Sequence, residues 1–358
     1  MIHAAILAGG RGERLWPKSR KSSPKHLLPL IGEKTLIQET VARLKGVVPD
    51  ENIYVVTEEG QQEMIAEQLP EIPGSSILVE PQGRNTAASI GLAAVHMEKN
   101  DPDAVMISLH SDNWVGDVET FRRILRDSCV VAERTGGLGT VGIPPSYAAT
   151  GFGYIHIGKE LAEDLTTTFW EGRRFVEKPD RRTAERYLAS GEYFWNGGMF
   201  IWKVSSILDA MRQHMPKLYE GCRAIGEALG SEREKEAMAK VYGELEKIPI
   251  DRGVMEKSSN IFVAKGDFPW DDVGTWAAIV NHFPADAKGN VVLGEFEEVD
   301  SENCIIVGDE TLIATVGVSD LIVVKTKDAV LICRKERAQE VRDLVAKLTD
   351  SKKLRKYV

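Results

Sequence analysis

The sequence predicts an α/β fold: a mixed, mainly parallel sheet covered by helices on both faces, with a small β domain at the C-terminal end. Three observations carry this. Short apolar runs alternate with amphipathic helical stretches up to about residue 150. The pattern then changes to longer excursions between fewer strands. From residue 290 it breaks into short β-prone pieces separated by turn residues.

Residues 2–8 are an apolar run ended by Gly9 and Gly10, as expected of a central parallel strand. Leu36, Ile37, Val41 and Leu44 have helical spacing and predict a helix over 34–45. Further strands are expected at 53–56, 76–79, 104–109 and 138–142, with helices near 58–69, 86–98 and 117–134. This alternation predicts an open, Rossmann-like sheet. Beyond it, strands are expected at 153–157, 174–176 and 200–202, and helices at 203–214, 217–228 and 231–245. In such an architecture this middle region lies over the carboxyl ends of the first strands and is placed to bind a second substrate. The tail has apolar pieces at 290–293, 304–307, 312–314, 321–324 and 329–332, then a charged amphipathic helix at about 335–349. It reads as a small β-solenoid-like unit, too irregular for a long repeat array. A β unit of that size needs to pack on the main domain or on another subunit, and a homodimer is consistent with it. The expected domains are 1–286 and 287–358.

The chain has 358 residues, 43% of them hydrophobic and 28% charged, with a formal net charge of −9. That acidic balance speaks against a general nucleic-acid binder and leaves room for a local basic pocket. Cys129, Cys222, Cys304 and Cys333 form no CxxC pair, so they read as free thiols of a reducing compartment. The apolar start is short and lacks a charged leader, and no run approaches the length of a membrane span. The expectation is a cytoplasmic chain with no membrane partner.

Four motifs carry chemistry. Leu7-Ala8-Gly9-Gly10-Arg11-Gly12-Glu13-Arg14, followed by Lys25, places a glycine-rich loop with cations at a strand end. Glycines let main-chain N–H groups approach a phosphate, Arg14 can fork onto its oxygens, and Lys25 adds a point charge. The phosphate-loop and dinucleotide patterns both fail here: no Gly-Lys-Ser/Thr follows, and position 15 is Leu. In Glu80-Pro81-Gln82-Gly83-Arg84-Asn85-Thr86, Asn85 or Thr86 can cap the next helix. Glu80 can accept from the N1–H and exocyclic amine of guanine. Asp112 follows the strand at 104–109, where doubly wound sheets bind ligands, and a hard carboxylate there suits Mg²⁺. Asp272, in Trp270-Asp271-Asp272-Val273-Gly274, is the candidate second metal ligand, with an acidic helix start as the structural alternative.

Two further segments suit a sugar phosphate. Glu177 and Lys178 offer an acid for hydroxyls and a cation for phosphate, although a surface ion pair is equally simple. Asn196, in Trp195-Asn196-Gly197-Gly198, offers an amide beside flexible backbone, and Gly153 lets a sugar lie against main chain.

Taken together, these segments resemble the sugar nucleotidyltransferases, and are most similar to the branch that makes GDP-mannose. The likeness runs through Arg14-Leu15-Trp16-Pro17 with Lys25, Glu80-Pro81 with Arg84-Asn85-Thr86-Ala87, Phe175–Pro179, Trp195-Asn196 with Gly198-Met199, Val254-Met255-Glu256-Lys257, Asp272-Val273-Gly274 with Trp276, and the tail from Ala314. Three departures stand out: Glu13 where that family has Ser or Thr, Asn113 where it has His, and Gly197 where it has Ser. The Asn113 departure leaves the metal role of Asp112 intact.

The resemblance implies a nucleotidyltransferase domain with a left-handed β-helix-like tail. It implies transfer of GMP from GTP to α-D-mannose 1-phosphate, giving GDP-mannose and diphosphate, with Mg²⁺ held by Asp112 and Asp272. Arg14 and Lys25 would stabilise the departing diphosphate, and Lys178 would hold the sugar phosphate. Leu7, Ala8, Gly9, Gly10, Glu80, Asn85 and Thr86 would seat the nucleotide. Gly153, Glu177 and Asn196 would meet the sugar. Three alternatives stay open: another sugar or base, an inactive GDP-sugar-binding regulator, and a glycosyltransferase using Asp101-Pro102-Asp103 as its metal motif.

Overall fold

The computed structural model describes residues 1–162 and 164–358. Two compact units emerge from the contacts. The first comprises Met1–Gly9, Val41–Ser111 and Val115–Trp270; the second comprises Gly10–Thr40, Asp112–Trp114 and Asp271–Val358. The N-terminal glycine loop therefore groups with the tail, across the sequence boundary expected near 286.

In the first unit the strands are β1 (Ile2–Ala8), β2 (Ile53–Glu58), β3 (Ile77–Glu80), β4 (Val105–His110), β6 (Leu138–Ile143), β7 (Tyr154–Leu161), β8 (Phe169–Val176), β9 (Tyr193–Lys203) and β10 (Ile261–Lys265). The two-residue strands β5 (Trp114–Val115) and β11 (Trp270–Asp271) lie where the chain passes between units. One nine-stranded sheet runs β3-β2-β1-β4-β9-β6-β10-β8-β7. β1 is parallel to β2 and β4, and β6 is parallel to β10, whereas β9 runs antiparallel to β4, β6 and β7. Ala4, Ala5, Ile6 and Ala8 are fully buried, as a strand covered on both faces requires.

The helices are α1 (Leu36–Ala42), α2 (Gln62–Gln68), α3 (Thr86–Asn100), α4 (Val118–Thr135), α5 (Arg181–Ser190), α6 (Val204–His214), α7 (Pro216–Ala228), α8 (Glu234–Glu244) and α9 (Ile250–Gly253). α3 buries Ala87, Ala88, Ala93 and Ala94, and these small side chains let its backbone lie close to its neighbours. Gly91 continues that logic: a Cβ there would stand 2.5 Å from Cys222 Sγ on α7. α4 buries Phe121, Ile124, Leu125, Ser128 and Ala132 at helical spacing; Asp117 caps its start and Gly136, in a left-handed conformation, ends it.

Several elements differ from expectation. β8 begins at Phe169 and not at 174, and β10 lies outside every expected strand. The segment expected to be flexible, Trp195-Asn196-Gly197-Gly198-Met199, lies inside β9, where Trp195 pairs with Ile143 on β6 and Tyr154 on β7. Its two glycines coincide with a register shift between Thr140 and Gly142 on β6, and Gly198 has φ 66. They mark an irregular strand, not a loop.

The second unit holds β12 (Val291–Leu293), β13 (Phe296–Val299), β14 (Ile305–Val307), β15 (Ile313–Val316), β16 (Leu321–Lys325) and β17 (Val330–Arg334), with α10 (Trp276–Ile279) and α11 (Val341–Asp350). β12, β14 and β16 stack in parallel, with β17 closing the sheet antiparallel; β13 and β15 form a second parallel pair. Val291, Ile305 and Ile322 sit in register, so each coil places one apolar residue on the next. The helix expected over 335–349 opens as a 3-10 turn at Lys335–Glu340 and becomes α-helical only from Val341. The core of this unit joins Ile305, Val307, Ile322, Val324 and Val345 to Leu15, Trp16, Leu36 and Trp276. Trp276 Nε1 donates to the Trp16 carbonyl at 3.1 Å, and Trp16 Nε1 donates to the Tyr357 carbonyl at 2.7 Å. Arg20 forks onto both carboxylate oxygens of Asp328, at 2.8 and 2.5 Å. The β tail thus finds its packing surface on the N-terminal loop.

Candidate functional site

In the second unit, Lys25 starts a short 3-10 helix, Lys25–Leu27, with only 5% of its surface exposed. Its Nζ donates to Asp112 Oδ2 at 2.8 Å and to the Asp272 carbonyl at 2.6 Å. Gly12 is what lets the lysine reach there. It adopts φ 69, and a Cβ on it would stand 2.3 Å from Lys25 Cβ. Burial raises the Asp272 carboxyl above the ordinary range; Lys25 opposes this, Asp271 and Asp112 add to it, and Arg14 opposes it. Arg14 also donates to Gln339 Oε1 at 3.1 Å. Lys25, Asp112, Asp272 and Arg14 therefore act on one another in one place. The turn that presents Asp272 is held hard. Val273, fully buried, has φ 48, its N–H donates to Asp271 Oδ1 at 2.6 Å, and the Gly274 N–H donates to Asp272 Oδ1 at 3.2 Å. A β-branched residue in the left-handed region is unusual and is commonest where function over-determines the backbone.

In the first unit, Leu7 and Ala8 end β1, buried, and Gly9 follows. Glu80 is the last residue of β3, 2% exposed, and its carboxylate has one donor on each oxygen. Ser89 Oγ donates to Oε2 and Tyr242 OH to Oε1, each at 2.9 Å. Burial pushes its pKa up to about 7 against those two hydrogen bonds, with Glu58 nearby adding to the rise. Both donors are helix side chains, Ser89 of α3 and Tyr242 of α8. Asn85 is the N-cap of α3, as expected, accepting from the Thr86 N–H at 2.8 Å. Thr86 Oγ1 accepts from the Ile250 N–H at 2.9 Å, and Gln82 and Arg84 each donate to the Tyr242 carbonyl at 2.7 Å. The 81–86 loop is thus strapped to residues 242–250.

Gly153, Glu177 and Asn196 come together at another place in the same unit. A Cβ on Gly153 would stand 3.0 Å from Glu177 Oε2 and 3.5 Å from Asn196 Cβ. The Asn196 N–H donates to the Gly153 carbonyl at 2.8 Å. Asn196 Nδ2 donates to Asp251 Oδ1 at 2.5 Å, and its Oδ1 accepts from the Gly198 N–H at 3.1 Å. Lys178, at φ 43, pairs with Glu177 at 3.0 Å and is well exposed. Asp251 was not expected. Burial lifts its carboxyl, Asn196 and His110 oppose that, and Glu177 adds to it.

The nucleotidyl transferase family profile matches residues 3–289. This chain belongs to the nucleotidyl transferase family. A second profile, the mannose phosphate isomerase/GMP-like β-helix domain, matches residues 289–348 of this nucleotidyltransferase. A mannose-1-phosphate guanylyltransferase of Klebsiella pneumoniae is 39% identical over 96% of this chain and 73% of its own length. One from Escherichia coli is 38% identical over the same shares. A crystal structure from Thermus thermophilus, described as a mannose-1-phosphate geranyltransferase, superposes with TM-score 0.85 at 37% identity, covering 97% of this chain and 99% of that one. The α/β nucleotidyltransferase fold with a β-helix-like tail is therefore as the sequence predicted.

Nucleotidyl transferases generally use a divalent metal. The residues present fit one. Asp112 and Asp272 are both oxygen ligands, and burial, with Asp271 and Asp112 adding to it, raises the Asp272 carboxyl. Among the described residues no set of three or more His, Cys, Asp or Glu is arranged to hold a metal. Two carboxylates, with the remaining positions left to phosphate oxygens and water, is the donor set a hard cation such as Mg²⁺ prefers. Among the described residues no helix is long and apolar enough to cross a membrane.

Tyr242, Ser89 and Asp251 are the residues that sequence reasoning missed. None lies in a motif, and Tyr242 reaches Glu80 from 162 positions away.

Proposed function

We propose that this nucleotidyltransferase transfers GMP from GTP to α-D-mannose 1-phosphate, giving GDP-mannose and diphosphate. The observation that carries it is the Lys25 ammonium lodged between Asp112 and Asp272, in a chain about 39% identical to a mannose-1-phosphate guanylyltransferase. In this reading a phosphate oxygen of mannose 1-phosphate bonds to the α-phosphorus of GTP. The bond from that phosphorus to the bridging oxygen breaks, and diphosphate leaves with the electron pair. The attacking oxygen is already anionic, so no strong general base is needed, and catalysis is mainly alignment and charge neutralisation.

Asp112 and Asp272 would hold Mg²⁺, which supplies charge neutralisation and a template for phosphate oxygens. Lys25 and Arg14 stabilise the departing diphosphate. Leu7, Ala8, Gly9, Gly10, Glu80, Asn85 and Thr86 seat the nucleotide; Asn85 also caps α3, and Glu80 is held by Ser89 and Tyr242. Lys178 holds the sugar phosphate; Gly153, Glu177 and Asn196 meet the sugar. Along the sequence, residues 1–286 form the catalytic domain and 287–358 a β-solenoid-like appendage, a division supported by the junction of the two family matches at residue 289. A cytoplasmic location fits four free cysteines. A homodimer through the tail fits the outward Val316 and Ile332, which are 72% and 64% exposed. The test is a panel of four nucleoside triphosphates against several sugar 1-phosphates, read by diphosphate release. GTP with mannose 1-phosphate should exceed every other pair; equal or faster release with another pair overturns the assignment.

A further inference from the structure

Glu58, a carboxylate beside the nucleotide loops, has no part in the reading above. It ends β2 and lies in register with Glu80 at the end of β3. Its Oε1 lies across the loop at Gly83: a Cβ built there would be 2.5 Å away, and one on Gly9 3.9 Å away. The glycine at 83 is what lets this side chain extend over the loop. Glu58 is partly buried, and among the described residues its carboxylate accepts no hydrogen bond and joins no ion pair. Glu80, in contrast, accepts from Ser89 and Tyr242. A half-buried carboxylate left with open acceptor positions at the carboxyl ends of parallel strands is placed to meet a ligand's donors.

We propose that Glu58 is an acceptor that reads the nucleobase, taking the N1–H and the 2-amino group of guanine. Adenine, cytosine and uracil do not present that adjacent pair of donors. Glu80 lies in register with Glu58 on the neighbouring strand. Burial pushes its carboxyl up to about 7, and Glu58 beside it adds to the rise. The inference deepens the proposed function and rests on it for the identity of the nucleotide.

The experiment compares GTP with ITP, which lacks only the 2-amino group, and with 2′-deoxy-GTP, in the parent chain and in Glu58→Gln and Glu58→Ala. The parent should favour GTP over ITP by about ten-fold or more in kcat/KM, as expected when a charged acceptor loses a donor. Both variants should bring that ratio towards one, through KM for the nucleotide, with KM for mannose 1-phosphate and the melting temperature little changed. The handicap of 2′-deoxy-GTP should persist. An unchanged GTP-to-ITP ratio in folded variants overturns the assignment. So does a loss confined to the 2′-deoxy comparison, which would put Glu58 on the ribose. If the parent chain does not turn over GTP, the functional reading fails on its own. Calorimetric Kd values for GDP and IDP then test Glu58 separately, and a ratio unmoved by the substitutions refutes its role.

Discussion

Replacing Lys25 by methionine keeps most of the side-chain volume and removes the charge. The ammonium makes two hydrogen bonds, at 2.8 Å to Asp112 and 2.6 Å to the Asp272 carbonyl. Stranding a buried acceptor such as that carbonyl costs about 1–3 kcal/mol. The Asp112 side chain keeps 31% of its surface exposed, so water replaces part of what it loses and its share is about 1 kcal/mol. A total near 3 kcal/mol lowers the melting temperature by about 4 °C in a chain of this size. The kinetic loss is larger: removing one group that stabilises developing charge costs about 10²–10³-fold in kcat. Lys25 also restrains the raised Asp272 carboxyl. Its removal lifts that carboxyl further, so the acid limb of the pH–rate profile moves to higher pH. The assay is diphosphate release from GTP and mannose 1-phosphate across pH, beside a melting curve. A folded Lys25→Met protein with kcat within about three-fold of the parent, and an unmoved acid limb, would refute the assignment of Lys25 to charge stabilisation.

Asp112→Ala and Asp272→Ala should each reduce turnover to background while far-UV circular dichroism stays that of the parent; near-parental turnover in both removes the metal-holding role. Glu80 has a folded pKa near 7, raised above its unfolded value, so the folded state binds the extra proton. Its penalty is absent below about pH 4.5, grows as pH rises and is complete above about 7, reaching on the order of 3 kcal/mol. Glu80→Gln should therefore gain stability relative to the parent as pH rises from 5 to 8 in urea titrations; a flat difference argues against the raised pKa. Gly12→Ala places a methyl group 2.3 Å from Lys25 Cβ at φ 69, and should cost roughly 2–4 kcal/mol in stability and lower kcat as Lys25 shifts. A Gly12→Ala enzyme with parental kcat and melting temperature would contradict that packing.

What the sequence made legible follows from how local each signal is. β1, β2 and β4 are apolar runs buried on both faces, and α3 and α4 carry their caps and periodicity within one segment, so each could be read by itself. β9 could not. Gly197 and Gly198 look like a loop unless the partners on β6 and β7 are known, and an antiparallel strand between parallel ones is a property of the sheet, not of the segment. The same division holds among the chemical groups. Lys25, Asp112 and Asp272 sit in conspicuous motifs and do meet. Glu80 was recognised as important, but its direction was set by Ser89 and by Tyr242, an unremarkable residue of α8. Asp251 joins Asn196 across 55 positions, and nothing in Ile250-Asp251-Arg252 announces that bond.

The shared core of the second unit bears on how this enzyme could be shortened. Trp16 and Trp276 are locked to each other and to the last residues of the chain, and Leu15 is buried in the same cluster as β14, β16 and α11. A version ending near residue 286 would leave the segment that carries Gly12, Arg14 and Lys25 with its apolar side bare. The tail works as a cast around the N-terminal glycine loop, and minimal enzymes built from this scaffold must retain it or supply a substitute.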